Sequence, residues 1–312
     1  MRKVIGIGET VLDIIFKNNQ NIGAVPGGSI FNAIISLGRC GAEAMLLSEV
    51  GNDRVGQYVL NFMQENGVNT DYMQQTNGYK TPVSLAFLDE RNDAEYSFYH
   101  LPSGSPQVHD YPEINPDDIV LFGSYYAIDP TMRNHVAAFL RYADERGAII
   151  YYDLNFRPSH AQEKVKLTPN IIENLEFADI VRGSSEDFNI LYGISDADKV
   201  YRAEISFYTR NFIYTDSCRP VTVFGKGDFR QEFPTAAVDT VSTIGAGDNF
   251  NAGFVFGLLK EGVTRKHIEW GLTEAQWRNI VATAQQFSAD CCGSIYNYVS
   301  QDFAETIGDK QR

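Results

Sequence analysis

Val241-Ser242-Thr243-Ile244-Gly245-Ala246-Gly247-Asp248-Asn249-Phe250 is the stretch around which this chain is organised, and an apolar run, residues 254–259, follows it. The apolar run predicts a buried helix that ends near Gly262, because glycine commonly stops a helix. Gly245 to Gly247 then lie at a helix N-terminus, where backbone N–H groups lack partners and attract anions. Glycine also lets a phosphate approach the backbone with no Cβ in the way.

Asp248 is the unexpected member of this stretch. A carboxylate beside an anion site repels phosphate unless it has a task, such as taking a proton from the group that attacks the phosphate. An equally consistent interpretation is a tight turn in which Asp248 is an ordinary helix cap. The stretch is not a Walker P-loop, because no Gly-Lys-Ser/Thr follows the glycines.

The bulk properties exclude several classes of protein. The chain has 312 residues, of which 44% are hydrophobic, so it can bury a large core. No apolar run approaches the roughly 18 residues of a membrane span, and the early acid Glu9 favours a first strand of a cytoplasmic protein over a signal peptide. The net charge of −14 argues against nucleic acid or an anionic membrane as a partner. The four cysteines show no metal-binding spacing, so reduced thiols are expected.

The order of elements predicts an α/β protein. Strand and helix patterns alternate along most of the chain, which favours a mainly parallel sheet covered on both faces. In such sheets, ligands bind beyond the carboxyl ends of the strands, and the motif Asp153-x-Asn155-x-Arg157 follows one predicted strand. Segments 83–88 and 95–100 predict a hairpin. Its apolar residues are predicted to form one exposed face, which either pairs two subunits or covers the core of the same chain. They are Val83, Leu85, Phe87, Tyr96 and Phe98.

Two motifs near the N-terminus leave alternatives open. Gly6-x-Gly8 lacks the third glycine of a dinucleotide fingerprint, so a nicotinamide dehydrogenase is set aside. Asp13 lies between apolar residues and is either exposed at an edge or directed into a cleft. Gly27-Gly28 breaks the chain, and Ser29 is then predicted to cap a helix that begins the next apolar pattern.

Three motifs, taken in order, resemble the PfkB (ribokinase-like) carbohydrate kinase family. They are Gly27-Gly28-Ser29-Ile30-Phe31-Asn32, Asp153-x-Asn155-x-Arg157 and Gly245-Ala246-Gly247-Asp248, and the resemblance spans about 4–293. It implies a ribokinase-like three-layer α/β/α fold with a mainly parallel central sheet. It also implies one kinase domain over 1–312, with a small β lid from about 12–25 and 80–106 that can pair two subunits into a homodimer.

The resemblance also implies a division of roles. Asp248 is the general base for a primary sugar hydroxyl, and the N–H groups of Gly245, Ala246 and Gly247 form an anion hole for the transferred phosphoryl group. Arg157 binds phosphate or substrate oxygens, and ATP is the donor together with Mg²⁺. The residues expected to contact the sugar are Asp13, Gly27, Gly28, Asn32 and Asn155.

The chain departs from the family pattern at three places. The Asn-x-x-Glu motif becomes Ser184-x-x-Asp187, where Asp187 is expected to contact magnesium through water, although the same residues also predict a capping box. Glycines of the nucleotide strand are replaced after Thr215, at Ser217 and Pro220. The resemblance implies that the nucleotide is contacted at the corresponding positions, which are Ser184, Thr215, Ser217, Gly245 and Gly247.

The third departure concerns a monovalent cation. Ser242 stands where ribokinase-like members carry an aspartate that helps to hold this cation beside the anion hole. Serine supplies no charge, so the sequence argues against potassium activation.

The sequence thus predicts an ATP-dependent sugar kinase, and fructose is the best single substrate because of the Asp153-x-Asn155-x-Arg157 motif. Kinases for ketodeoxygluconate, ribose or a nucleoside are alternatives within the same family. A second hypothesis is a binding or regulatory protein that keeps the fold with little or no kinase activity, because Ser184, Ser217, Pro220 and Ser242 depart from the family pattern.

Overall fold

The computed structural model describes residues 2–90, 92, 94–99 and 110–308. Its strands are β1 Lys3–Ile7, β2 Val11–Lys17, β3 Gln20–Gly27, β4 Glu43–Gly51, β5 Val68–Asn69, β6 Met73–Thr76, β7 Val83–Leu88, β8 Ala94–Tyr99, β9 Ile119–Gly123, β10 Ile149–Asp153, β11 Ile180–Ser184, β12 Asn211–Thr215, β13 Val221–Gly225 and β14 Phe229–Phe233. Its helices are α1 Ser29–Arg39, α2 Arg54–Glu65, α3 Ser124–Ile128, α4 Arg133–Asp144, α5 Lys164–Phe177, α6 Ser185–Tyr192, α7 Ala197–Val200, α8 Ala246–Lys260, α9 Arg265–Trp270, α10 Glu274–Cys292 and α11 Gln301–Gly308. A 3-10 turn, Pro158–Glu163, precedes α5, and a π-helical turn, Tyr201–Ile205, follows α7.

The large sheet has ten strands in the order β14-β13-β12-β11-β10-β9-β1-β4-β5, with β6 also paired to β4. All pairs from β12 to β5 are parallel, and β13 and β14 add an antiparallel hairpin at one edge. Neighbouring residues of a strand face opposite cores. Val4 belongs to the core that includes residues of α1 and α8, and Ile5 belongs to the core that includes residues of α4 and α5. The three-layer α/β/α fold is therefore confirmed.

The small sheet has four strands in the order β3-β2-β7-β8. Its apolar cluster, within the described residues, consists of Ile15, Val25 and Leu88, against which Ile244 packs. The predicted lid segment 12–25 falls within β2 and β3. Of the segment 80–106, residues 91, 93 and 100–106 lie outside the described residues.

The pairing of β7 with β8 corrects the prediction of a single exposed aromatic face. Residues directly opposite each other in an antiparallel pair share a face. Phe98 pairs with Ser84 and Tyr96 with Ala86, whereas Tyr99 pairs with Val83. Tyr96 and Phe98 therefore lie on the face that carries the buried residues, opposite to Val83, Leu85 and Phe87.

Helix α8 packs closely on α10 because two of its residues have no side chain. A Cβ on Gly253 would lie 2.7 Å from the Cα of Ala284, and one on Gly257 would lie 2.9 Å from the Cα of Ile280. The prediction that small residues of α8 allow close packing is confirmed. Within the described residues, no helix has both the length and the apolar character needed to cross a bilayer.

Candidate active site

Helices α1 and α8 meet at the carboxyl edge of the large sheet, and Asp248 lies between them. Its side chain is buried, with one carboxylate oxygen accepting from Ser29 Oγ at 2.8 Å. The other oxygen accepts from Asn32 Nδ2 at 2.8 Å. Two donors from α1 therefore fix the orientation of a carboxylate in the first turn of α8.

Ser29 does not cap α1 as the sequence predicted. The N-cap is Gly28, and no side chain caps that end, because Ser29 is the first helical residue and its hydroxyl donates to Asp248 instead. The same hydroxyl accepts from Asn155 Nδ2 at 2.8 Å. The predicted substrate residue Asn155 is therefore joined to Asp248 through Ser29.

The alternative in which Asp248 is an ordinary helix cap is wrong. The N-cap of α8 is Gly245, which has φ of 71°, a conformation that glycine adopts without strain. No side chain caps this helix end, and the Asp248 carboxylate faces α1. The sequence alone could not separate these roles, because both place an aspartate in the first helical turn.

Residues Gly245–Gly247 form the anion turn. Ala246 N donates to the carbonyl of Thr243 at 3.2 Å, so the prediction that all three N–H groups are bare is wrong in this structure. In the part of the chain that the structure describes, the N–H groups of Gly245 and Gly247 donate no hydrogen bond. These two donors at the start of α8 suit an anion.

Burial raises the pKa of the Asp248 carboxyl above its ordinary value, and the nearby charge of Arg157 acts in the opposite direction. Arg157 follows β10, and its side chain is exposed. No hydrogen bond or ion pair to another described residue engages its guanidinium, so it is available to a ligand. A carboxyl whose pKa is raised by burial is a stronger base than an exposed aspartate, which suits it to accept a proton in catalysis.

Asp13 is directed into the protein and is not exposed at an edge. Its carboxylate accepts from Ser84 Oγ and, at 3.1 Å, from Asn297 Nδ2. A Cβ on Gly27 would lie 2.2 Å from one of its oxygens, so the glycine at this position makes room for the carboxylate. Asn297 was not singled out from the sequence, because it lies 284 residues away in an unremarkable loop.

Gly28 closes the same corner of the site. Its φ of 128° favours glycine, and a Cβ there would lie 2.3 Å from the carbonyl oxygen of Glu9. At both predicted glycines, a side chain would therefore clash with neighbouring atoms. A sugar contact by either remains a prediction.

The charge on Asp13 should make stability depend on pH. Burial raises its pKa to about 6 from 3.8, and the charges of Asp248 and Glu9 add to this. The folded protein binds this proton more tightly than the unfolded chain does. Ionisation of Asp13 therefore lowers the free energy of unfolding above pH 6, and this loss of stability disappears as the pH falls toward 4. It is on the order of 3 kcal/mol.

We therefore expect Asp13→Asn to be more stable than the wild type at pH 8 and to lose that advantage between pH 6 and 4. Urea unfolding at several pH values measures this, with Asp71→Asn, a change at an exposed aspartate, as the control. An advantage that is constant over this pH range would contradict the assignment.

Arg182 is the main residue of the site that sequence reasoning missed. It lies in β11, is buried, donates to Asp153 Oδ1 at 3.0 Å and to Thr215 Oγ1 at 2.7 Å. Burial acts to lower its pKa, but the charges of Asp153 and Asp187 outweigh this and raise it. A Cβ on Gly247 would lie 3.4 Å from the guanidinium nitrogens, so the cation lies directly against the anion turn.

Asp153 belongs to the framework and not to the exposed surface of the site. It is 1% exposed, and its second oxygen accepts from Asn251 Nδ2 at 2.8 Å. The carboxylate thus joins β10 to both β11 and α8. Its partner Arg182 could have been found from the sequence, because a charged residue inside an apolar strand such as β11 needs a partner of opposite charge.

Asp187 does not fit the predicted magnesium role. One of its oxygens accepts from the N–H of Phe156 at 2.8 Å, and the other accepts from the N–H and the hydroxyl of Ser184 at 2.6 and 2.8 Å. Magnesium requires near-octahedral oxygen ligands and retains several waters, whereas this carboxylate is 4% exposed. Ser184 and Asp187 form the capping box of α6, which was the alternative interpretation.

The described residues contain no other obvious metal site. No group of three His, Cys, Asp or Glu side chains among them is arranged to hold a metal ion. Asp187 instead fixes the loop that carries Asn155 and Arg157 through its bond to Phe156.

The predicted nucleotide residues after β12 have different environments. Thr215 is buried, and its hydroxyl accepts from Arg182. Ser217 is exposed and has φ of 52°, a left-handed conformation that glycine adopts with less strain than serine. Nucleotide binding by these residues stays a prediction.

The fold and this site define a phosphotransferase. The chain belongs to the pfkB family of carbohydrate kinases, whose profile matches residues 1–288. It is 28% identical over 272 residues to the probable chloroplastic fructokinase-6 of Arabidopsis thaliana, covering 83% of this chain and 70% of that protein. The protein is therefore a sugar kinase of this family.

Two solved structures share the fold. The fructokinase of Vibrio cholerae O395, as a double mutant holding fructose, ADP and a potassium ion, superimposes with a TM-score of 0.85 at 21% identity and 98% coverage of both chains. The aminoimidazole riboside kinase of Salmonella enterica, complexed with aminoimidazole riboside and an ATP analogue, has a TM-score of 0.83 at 20% identity, over 98% of this chain and 99% of that chain. At such identities the likeness concerns the fold alone.

Proposed function

We propose that this protein transfers the γ-phosphoryl group of ATP to a primary hydroxyl of a small sugar. The observation that carries the proposal is the Asp248 carboxylate, which is buried, held by Ser29 and Asn32, and located directly after the anion turn in the first turn of α8. A proton acceptor and a set of anion donors are thus combined at one helix N-terminus. Phosphoryl transfer to an alcohol needs both of these groups.

The proposed mechanism assigns the charge and the proton to separate groups. The N–H groups of Gly245 and Gly247 stabilise the charge that develops on the phosphoryl oxygens, and Arg182 lies behind them as a fixed cation. Arg157 is the exposed cation that binds phosphate or substrate oxygens. Asp248 takes the proton of the attacking hydroxyl as the new O–P bond forms. The bond between the γ-phosphorus and the oxygen that bridges it to the β-phosphate breaks in the same step, and ADP leaves with that electron pair.

Fructose is the proposed acceptor. The support is the relationship to a probable fructokinase and the Asp153-x-Asn155-x-Arg157 motif. Asp13, Asn32 and Asn155 are proposed to supply acceptors and donors for sugar hydroxyls. Gly27 leaves room for the Asp13 carboxylate, and Gly28 leaves room for the carbonyl oxygen of Glu9. Ribose, ketodeoxygluconate and nucleosides remain the alternative acceptors.

Coupled ADP release with a panel of ketoses, pentoses, ketodeoxy acids and nucleosides tests the proposal. We expect sugar-dependent turnover with fructose to exceed that with the other acceptors. Turnover with a different member alone would replace fructose, and no sugar-dependent turnover with any member would favour the binding or regulatory protein.

ATP is the proposed donor, with contacts from Ser184, Thr215, Ser217 and the anion turn. Magnesium is proposed to arrive bound to the nucleotide phosphates, since Asp187 does not fit the coordination shell of this ion.

A cytoplasmic location is proposed because all four cysteines are free thiols. The net charge of −14 supports the absence of nucleic acid and membrane partners.

We propose that the whole chain is one kinase domain and that the small sheet is its lid, which excludes water from the acceptor. The outer face of that sheet carries Phe16 stacked on Phe87 at 5.2 Å between ring centroids, and Phe87 is 38% exposed. This face is the proposed contact of a homodimer.

Sedimentation of Phe87→Glu and of the wild type tests this proposal. If the face forms the dimer contact, the buried charge should convert the dimer into monomers. A variant that sediments as the wild type does would contradict the proposal.

Replacing sodium by potassium should change the turnover rate by less than about twofold, because no carboxylate at position 242 is present to stabilise the cation. Ser242 is fully buried and its hydroxyl is engaged by protein groups. Initial rates at constant ionic strength measure this effect. A potassium activation of tenfold or more would contradict it.

A further inference from the structure

The tip of the β7–β8 hairpin contacts the loop that leads into the anion turn. Asn92 Nδ2 donates to the carbonyl oxygen of Val241 at 2.6 Å. In return, Ser242 Oγ donates to the carbonyl oxygen of Asn92 at 3.3 Å. Two hydrogen bonds in opposite directions therefore join the small sheet to the residues that precede Gly245.

The orientation of the Asn92 amide is determined by a third contact. Lys17 Nζ, at the end of β2, donates to Asn92 Oδ1. An ammonium group can only donate, so the amide oxygen faces Lys17 and the NH₂ group faces Val241. Asn92 also has φ of 61°, a conformation in which asparagine is enriched. Both hairpins of the small sheet thus contribute to this contact.

The loop is tightly coupled to the anion turn. Ser242 is fully buried, and its hydroxyl also accepts from the N–H of Ile244 at 3.2 Å. Ile244 packs against Ile15, Val25 and Leu88 of the small sheet and is followed directly by Gly245. A displacement of the small sheet therefore pulls on both the polar and the apolar contacts of the turn.

We propose that Asn92 and Ser242 form a latch through which the small sheet holds the anion turn in its phosphate-binding conformation. Both are positioning residues, since they act on the turn and not on a substrate. The inference rests on the proposed kinase function of that turn. Backbone donors stabilise developing charge only when they are held in place beforehand, and the latch makes this depend on the closed position of the small sheet. In this chain, the Ser242 hydroxyl therefore helps to hold the small sheet against the loop that precedes the anion turn.

Asn92→Asp tests the latch with little disturbance elsewhere. Aspartate also accepts the left-handed conformation and keeps an oxygen toward Lys17, but it presents an acceptor to the Val241 carbonyl. We expect kcat to fall about tenfold, less than the 10² to 10³ lost with a direct donor. The affinity for ATP should change little. ATP hydrolysis without sugar should become a larger share of turnover, because an unlatched sheet admits water.

The matched control is Asn19→Asp. Asn19 lies in the other hairpin of the small sheet, has φ of 60° and is exposed. The same change in charge at the same kind of backbone position should leave kcat and the share of hydrolysis unaltered. Ser242→Ala should reproduce the effect of Asn92→Asp, and the double variant should be no worse than the more impaired single variant, because both changes open one contact.

Hydrogen exchange of the segment 241–247 supplies a readout that does not require activity. We expect faster exchange in Asn92→Asp and Ser242→Ala than in Asn19→Asp and the wild type. The latch is overturned if both Asn92→Asp and Ser242→Ala match Asn19→Asp in exchange and in kcat. If the wild type has no sugar-dependent turnover but the exchange rates differ as expected, the latch stands and the proposed function fails.

Discussion

Asp248→Asn should lower kcat by roughly 10² to 10⁴, the usual range for loss of a positioned general base. The amide introduced can direct its oxygen to Asn32 and its NH₂ group to the Ser29 hydroxyl, so the site should keep its geometry. The affinity for ATP should remain nearly intact, because the anion turn is unchanged. Single-turnover rates and nucleotide titration of the purified variant measure both quantities.

The stability of the same variant gives an independent check. Burial raises the pKa of Asp248, so its ionised form lowers stability at neutral pH. We expect Asp248→Asn to unfold at an equal or higher temperature at pH 7.5. A helix cap would behave in the opposite way, since its loss costs about 1 kcal/mol. Lower stability together with full activity per folded molecule would remove the catalytic assignment.

Arg182→Met should destabilise the protein by about 3 to 5 kcal/mol, the usual cost of leaving one member of a buried ion pair without its partner. Among the residues that the structure describes, the variant leaves Asp153, which is 1% exposed, with the amide of Asn251 as its side-chain donor. The hydroxyl of Thr215 also loses its donor. Urea unfolding at pH 7.5 measures the loss.

The double variant Arg182→Met/Asp153→Asn separates stability from catalysis. Neutralising both charges should recover most of the lost stability, because neither charge is then buried alone. If the guanidinium also supports the anion turn, kcat stays below that of the wild type although the fold is restored. If the single variant loses less than about 1 kcal/mol of unfolding free energy, the buried ion pair contributes little to stability and the prediction is wrong.

Local patterns predicted the backbone of the site well. The glycines around Ala246 and the apolar run after Asp248 placed the start and end of α8 correctly, because helix termini are encoded by adjacent residues. The same local rule failed at Ser29. A serine before an apolar helix usually caps it, but here Asp248, 219 residues away, takes the hydroxyl. Such pairings depend on tertiary packing.

The register of the small sheet and the buried ion pair were beyond the sequence for different reasons. A shift of one residue in the β7–β8 pairing moves a side chain to the other face, and the polar turn alone did not determine it. Arg182 was not singled out from the sequence, and its partner Asp153 was grouped with Asn155 and Arg157 in the motif that follows a predicted strand. Only the parallel pairing of β10 with β11 brings the two charges together.

The close packing of α8 on α10 limits which substitutions the enzyme can tolerate during evolution. A methyl group on Gly253 would force the two helices apart, because its nearest neighbour is backbone and cannot move aside. Asp248 lies on the same rigid helix, so its distance to α1 would change with that separation. A displacement of 1 Å in a catalytic group can lower the rate about a hundredfold. A substitution at Gly253 is therefore expected to lower the rate although the residue packs against α10, and a library that varies only the cleft would miss it.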